Sequence, residues 1–411
     1  MANVTLDPQG RLLAFRVVPP LIDEQPGSAS APDWAALFAE AGLEMTNFNP
    51  TESRWIPPIN SDSRGAWEGV YPQQPQISLR IEAAAYRGRV VWFEMIGPWT
   101  ESSLRSPARR ASGANLIPVV FLLVTLLASV PLARRNLRLG RGDHKGAFRL
   151  ALFVFALYLL QWAFTANFVS GSIEWNLFGR INLPFGLFLS VVVWLIYLAL
   201  EPYVRRRWPQ RIIGWSRLLA GHARDPLVGR DLLLGGLFAI ASSLLIPLTL
   251  KWPGLTITQP GMAEIVTLQG FRGFASFYLS SLPFQVLGAV SVLFVLMLLS
   301  ILLRREWLAF AVSWLVWTLF FGGAPGSRGW LAVGLYATLL LVIQARFGLL
   351  ATAAYFACYN MTRNYPITSD FSAWYAGGTI FALGVVVAIC GYGFYTSLGG
   401  QKVFAGKLLE E

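Results

Sequence analysis

Histidine and cysteine are nearly absent from the 411 residues: only His144, His222, Cys358 and Cys390 occur. Two histidines set far apart do not make a histidine-based metal site. Two cysteines that both fall in apolar runs read as small buried hydrophobes, not as a disulfide or a metal pair. Charge is scarce as well, at 13% Asp, Glu, Lys and Arg. No apolar run carries paired carboxylates and there is no HExxH, which removes the usual intramembrane hydrolytic chemistries. Neither a Walker A sequence nor a GxGxxG loop is present. The near-misses to kinase signatures fail in detail. Val228-Gly229-Arg230-Asp231 lacks the preceding histidine and the later asparagine. Asp370-Phe371-Ser372 has serine for glycine, and Val387-Ala388-Ile389-Cys390 lacks the lysine. The chain as it stands cannot be a kinase, and no cofactor is expected. The opening MANVTLDPQGRLLAFRVVPP has no charged n-region followed by an apolar h-region, so it does not read as a signal peptide.

What is present is grease. Apolar residues make up 55% of the chain, and mean hydropathy is +0.51. Apolar runs are read at 115–133, 150–168, 183–202, 232–250, 279–303, 307–323, 330–345, 347–361 and 373–395. About 20 helical residues cross a hydrocarbon core of roughly 30 Å. The expected fold is therefore a polytopic α-helical membrane protein of about nine spans with a small N-terminal α+β soluble domain. The eighth run is the weakest; it is short, flanked by Arg346 and Arg363, and reads as a span or as a re-entrant or interfacial segment.

The net charge of +11 is unevenly placed. Residues 1–114 carry ten arginines, no lysine and twelve acids, and the remainder is near +13. The excess sits in alternate loops: 134–149, 203–231, 304–306 and 396–411 hold seventeen Lys and Arg, whereas 169–182, 251–278, 324–329 and 362–372 hold five. That is positive-inside patterning rather than a nucleic-acid-binding surface, and no nucleic-acid partner is expected. It assigns the first set of loops and the C-terminus to the cytoplasm and residues 1–114 to the outside.

The expected organisation is a soluble domain over 1–99, a Ser/Arg/Pro linker over 100–114, a helical bundle over 115–395 and a cytoplasmic tail over 396–411. In the first part, VTLDPQGRLLAFRVV reads as strand, turn, strand, with Asp7-Pro8-Gln9-Gly10 turning the chain. Pro19 to Pro32 reads as a loop, and Asp33 caps a short helix over Trp34 to Leu43. QISLRIEAAAY and VVWFEMIGPW form a second hairpin about Arg87-Gly88-Arg89. The domain begins inside a hairpin, as if upstream structure were missing. An extracytoplasmic domain with no preceding span poses the same question, and a missing upstream transmembrane helix answers both.

The stretch EPYVRRRWPQRIIGWSRLLAGHARDPLVGRD, residues 201–231, is the candidate site. Its plain reading is a cytoplasmic hem: Arg205, Arg206, Arg207, Arg211, Arg217 and Arg224 meet anionic headgroups, with Trp208 and Trp215 at the interface. Ile212, Trp215, Leu218 and Leu219 share one face of an amphipathic interfacial helix. The functional reading makes the same residues a docking surface. Glu201 reads as the ion partner of Arg205 to Arg207, Arg346 as a turn anchor, and Asp231 as the carboxylate of a helix N-terminus. Ser190, Ser242 and Ser243 read as helix-packing contacts.

YLALEPYVRRRWPQRIIGWSRLLAGHARDPLVGRD, residues 197–231, is similar to a segment in the membrane region of large bacterial serine/threonine protein kinases of the acidobacterial and planctomycete kind. VTLDPQGRLLAFRVVPP, APDWAALFAEAGLE, AWEGVYP and RIEAAAYRGRVVWFEMIGPWT resemble that family's extracytoplasmic domain. ARRNLRLGRGDHKGAFRLALFVFAL and SDFSAWYAGGTIFAL resemble its membrane region. The resemblance implies a cytoplasmic kinase domain and one transmembrane helix upstream, both missing here, so no kinase residue carries over. It implies a non-catalytic membrane and sensor module in the cytoplasmic (inner) membrane, with the bilayer and a cytoplasmic kinase domain in cis or in trans as partners. The alternative is a transporter or permease-like protein, against which the scarcity of intramembrane charge speaks.

Overall fold

The computed structural model describes residues 2–7, 9–19, 31–71, 74–98, 100, 116–166, 173–250, 266–268, 270–322 and 330–400. The expected linker beyond residue 100 and the tail beyond residue 400 lie outside them. Packing divides the chain into two compact units, Met1–Ala114 and Asn115–Glu411.

The first unit is an antiparallel sheet of six strands in the order β1-β2-β6-β5-β4-β3. The strands are β1 (Ala2–Leu6), β2 (Leu12–Val17), β3 (Asn49–Thr51), β4 (Ser63–Tyr71), β5 (Gln74–Tyr86) and β6 (Arg89–Ile96). The first turn is held by Asp7: its carboxylate accepts from the backbone N–H of Gln9 (2.9 Å) and Arg11 (2.8 Å) and pairs with the Arg11 guanidinium at 2.6 Å. The second hairpin turns on Arg87 and Gly88 alone, with φ of 52° and 77°. Two positive-φ residues make the type I′ geometry whose twist suits a right-handed ribbon. Strands β3 and β4 fall between the short helix and the second hairpin, where the sequence pattern predicts no strand. Helix α1 (Trp34–Glu40) is capped by Asp33, whose side chain accepts from Ala36 N. It stops short of Leu43 because Gly42 takes φ +66°, the left-handed conformation that closes helix C-termini.

Residues 79, 81, 83 and 93 share one face of the sheet. There Leu79, Ile81, Ala83 and Phe93 bury with Phe38, Phe48 and Trp67 under α1. The opposite face holds the fully buried carboxylate of Glu82. It accepts from Ser53 Oγ (2.6 Å), Arg54 N (3.0 Å) and Arg80 Nε (2.7 Å). Three charge-assisted bonds satisfy the carboxylate, as its burial requires, and two of them clamp residues 53–54 onto β5.

The described residues of the second unit form helices and the turns between them, with no strand among them. In order it contains α2 (Leu116–Arg138), α3 (His144–Thr165), α4 (Leu183–Arg207), α5 (Ile213–Leu219), α6 (Pro226–Leu250), α7 (Gly270–Leu303), α8 (Glu306–Gly322), α9 (Trp330–Arg346), α10 (Gly348–Asn364) and α11 (Ala376–Ser397). A short helix, Ile173–Leu177, runs into α4 through a π-turn at Phe178–Asn182. Six segments are long and apolar enough to cross a membrane: Ile117–Arg138, His144–Thr165, Trp175–Arg207, Pro226–Leu245, Gly270–Leu303 and Ala376–Ser397. This is the make-up of a multi-pass membrane protein. A helix coincides with each of the nine apolar runs, but α8, α9 and α10 have 17 residues each, about 25 Å of helix.

The centre of the bundle is α4, α6, α7 and α10. Ile196 to Leu200 of α4 are buried on every side, and Asn136 Nδ2 donates to the Leu198 (2.9 Å) and Ala199 (3.2 Å) carbonyls. Helix α6 reaches its neighbours through glycines. A methyl on Gly235 would lie 2.7 Å from Ala354 Cβ and 2.9 Å from Tyr355 N of α10, and one on Gly393 of α11 would lie 2.7 Å from Leu233 N and 2.8 Å from Gly229 O. Where no water is present to drive helices together, such backbone approach is a main source of packing energy.

Candidate functional site

The connection between α4 and α6 carries the residues that the sequence singled out, and the structure straps it to the bundle. Arg207 pairs with Glu306 at 3.3 Å. Arg149 Nη1 donates to Leu219 O (2.7 Å), Asp143 N to Glu201 Oε2 (3.2 Å), and Tyr392 OH to Ala223 O (3.0 Å). The basic connections α2–α3, α4–α6, α7–α8 and α9–α10 are thereby gathered at one end of the unit.

Arg211 is the keystone. Its Nε donates to Ala345 O at 3.2 Å. Its guanidinium lies 4.2 Å from the Trp208 ring centroid and 5.7 Å from that of Phe310, a stacked cation–π arrangement available to arginine. Its backbone fills the space beside Gly348, where a Cβ would stand 2.7 Å from Arg211 Cα. Gly348 has φ +85°, so the α9–α10 junction needs glycine both for its backbone and for this contact.

The eight singled-out residues divide by environment. Arg205, Arg206, Arg207, Arg217 and Arg224 are exposed. Arg211, Trp208 and Trp215 are buried at 9%, 6% and 5% exposure. Thus the two tryptophans are not headgroup anchors. Ile212 and Trp215 enter the main core, and Leu218 and Leu219 pack against it. The apolar face of α5 is covered by helices, not by lipid. The turn is held in that seat by the Arg211 side chain bonded to Ala345 O and by the close approach of the Arg211 backbone to Gly348.

The remaining candidates have structural partners. Glu201, 1% exposed, pairs with Arg205 Nε at 2.5 Å. Asp231 pairs with Arg230 at 2.8 Å. Ser190 Oγ donates to Gly186 O at 2.7 Å; Ser242 accepts from Tyr355 OH at 3.2 Å, and the Ser243 and Thr362 hydroxyls share a hydrogen bond. Cys358 and Cys390 are free thiols whose sulfurs both approach Gly236. Arg346, at the C-terminus of α9, edges a shallow apolar groove of about 340 Å³ with Phe310 and Trp314. In the loop, burial would raise the Asp225 carboxyl. The Arg217 guanidinium, 2.6 Å away, and the Leu227 N–H outweigh it and hold the group below the ordinary carboxylate range. Among the described residues no three His, Cys, Asp or Glu side chains come together as a metal cluster would need.

At the opposite end is a cavity of about 710 Å³ that sequence reasoning missed. Its wall takes the first half of α2, the C-terminal part of α3, the first two-thirds of α7, the end of α8, Tyr336 of α9 and the second half of α10. Phe121 packs on Trp317 (5.2 Å) and Phe320 (5.0 Å), and Tyr359 on Tyr336 (5.3 Å) and Tyr355 (5.6 Å). Set into these rings is a polar strip: Gln285 Nε2 donates to Ser281 Oγ (3.0 Å), and Ser281 Oγ to Asn360 Oδ1 (3.3 Å). Among the described residues Arg363 is the one charged group in the wall. A mostly aromatic concavity of this size with a few convergent polar groups is the usual form of a small-molecule site. The sequence hint was Asn360 at the end of the eighth apolar run with Arg363 and Asn364 just beyond it, because polar groups beside or within such a run default to function. No known protein family, curated protein or solved structure matches this chain.

Proposed function

We propose that this chain is a non-catalytic sensor module of a receptor-type serine/threonine kinase. The carrying observation is that α10 lines the cavity with residues 356–364 and abuts the strapped basic turn through Gly348 at its other end. In this reading all nine long helices cross the bacterial inner membrane, the basic end lies in the cytoplasm, and residues 1–114 and the cavity mouth lie outside, as the loop charges favour. A ligand that prefers one of two positions of α10 shifts the population seen by a kinase docked on the exposed arginines, and the shift is limited by that difference in affinity. The kinase acts in cis or in trans.

The test is a photo-crosslinking amino acid at Arg206 or Arg224 in the native host. The expected adduct is a serine/threonine kinase, lost when Arg205 and whichever of Arg206 and Arg224 does not carry the crosslinker are both changed to Glu. A correctly inserted protein that yields no kinase adduct refutes the reading. A transporter or permease is the second reading, favoured by the same cavity; it requires solute flux in proteoliposomes.

A further inference from the structure

We infer that the cavity takes a small amphipathic anion: an apolar, ring-sized body bearing one carboxylate, sulfonate or phosphate. The inference rests on the cavity being the ligand end of the molecule, and it adds the chemistry of the ligand. Charge decides the sign. Among the described residues Arg363 is the one charged side chain of the wall, and no Asp or Glu lines it, so a cationic ligand would meet repulsion without a counter-charge, while an anion finds a guanidinium able to hold it by two parallel bonds.

The body of the ligand is set by the rings of Phe121, Phe284, Phe320 and Phe356, which offer apolar faces and edges and few polar atoms. The polar strip of Gln285, Ser281 and Asn360 edges the same wall and leaves the rest of the lining mostly apolar. Such an occupant arrives either from water or from the bilayer as an anionic lipid, since both present this chemistry.

The test uses the full chain in phosphatidylcholine vesicles, with Cys358→Ala and Cys390→Ala as background and Ser281→Cys as the reporter in the cavity. Labelling rates are measured with anionic sulfonatoethyl and cationic trimethylammonioethyl methanethiosulfonates, each divided by its rate with a free thiol. The expected anion-to-cation ratio is above one. It should fall by about threefold or more in Arg363→Gln, as removal of a nearby charge demands, and return in Arg363→Lys. Millimolar 2-naphthoate should slow labelling. A ratio at or below one, no labelling by either reagent, or no protection by 2-naphthoate overturns the inference. An uncharged thiosulfonate separates the sources: slower labelling in vesicles containing phosphatidylglycerol identifies a lipid occupant, and unchanged labelling a water-borne one. The readout involves no kinase, so an anion-selective cavity in a chain that crosslinks to none refutes the sensor reading alone.

Discussion

Replacing Gly348 by alanine probes the junction between the basic turn and the bundle, and Gly221 provides an internal standard. Both glycines have positive φ, +85° and +95° respectively, so each alanine meets the left-handed penalty of about 1–2 kcal/mol. They differ in surroundings. Nothing lies within 4 Å of a Cβ at Gly221, whereas at Gly348 it would stand 2.6 Å from the carbonyl carbon and 2.7 Å from Cα of Arg211. Backbone cannot rotate away as a side chain does, so Gly348→Ala must also displace the turn that carries Arg211. Overpacking of that kind costs about 1–3 kcal/mol more. The expected totals are about 1–2 kcal/mol for Gly221→Ala and about 2–5 kcal/mol for Gly348→Ala. Denaturant titration of the purified protein in micelles, followed by tryptophan fluorescence, reads both. Equal losses in the two variants would refute the claim that the turn is seated against the junction.

Glu82→Ala should cost the first unit about 1–3 kcal/mol, because Arg80 Nε, Arg54 N and Ser53 Oγ lose their shared acceptor while Arg80 keeps its pair with Glu68; amide exchange at Arg54, bonded to Glu82 at 3.0 Å, should rise first, and unchanged exchange would count against the clamp. Gly235→Val should destabilise the protein by about 1–3 kcal/mol or more through its collision with α10. Gly384→Ala, with open space around it, should be neutral or stabilising by up to about 1 kcal/mol; equal loss in both would sink the close-packing account. The depressed Asp225 carboxyl makes a stabilising contribution that is full above its ordinary value of 3.8 and is lost as pH falls through the lower folded value. Asp225→Asn should flatten that acid limb in a pH series of melting curves; an unchanged limb would show that the ion pair with Arg217 is inert.

How much of this was legible in the sequence depended on whether the signal was local. Turn chemistry at Asp7 and at Arg87-Gly88 is local, and so is the Asp33 cap. Apolar run length is local too, so a helix lies at every run. The ends of those helices were read short, because hydropathy marks lipid and not helicity: α2 continues to Arg138 and α7 begins at Gly270, past the apolar limits. Strand β4 was hidden because Gly65, Ala66 and Gly69 dilute its alternation. The burial of Trp208 and Trp215 was not legible, since an amphipathic face looks the same whether helices or lipid cover it. The cavity was least legible of all. Its wall is assembled from six helices, and no spacing within one segment announces that Gln285 and Asn360 will meet across Ser281.

The seating of α10 also bears on how the protein is made. It is the least apolar of the nine long helices, with Asn360, Thr362, Arg363 and Asn364 in its second half, yet its Leu349, Leu350, Tyr355, Cys358 and Met361 are buried against other helices. A segment of that composition gains little by partitioning into lipid alone. Its place is prepared by the glycine face of α6 and by α7, both synthesised earlier. In the proposed topology, where α10 crosses the membrane, its insertion is a step of assembly: the chain must wait for a protein surface, not merely for a bilayer, before the residues from Gly348 onward can settle.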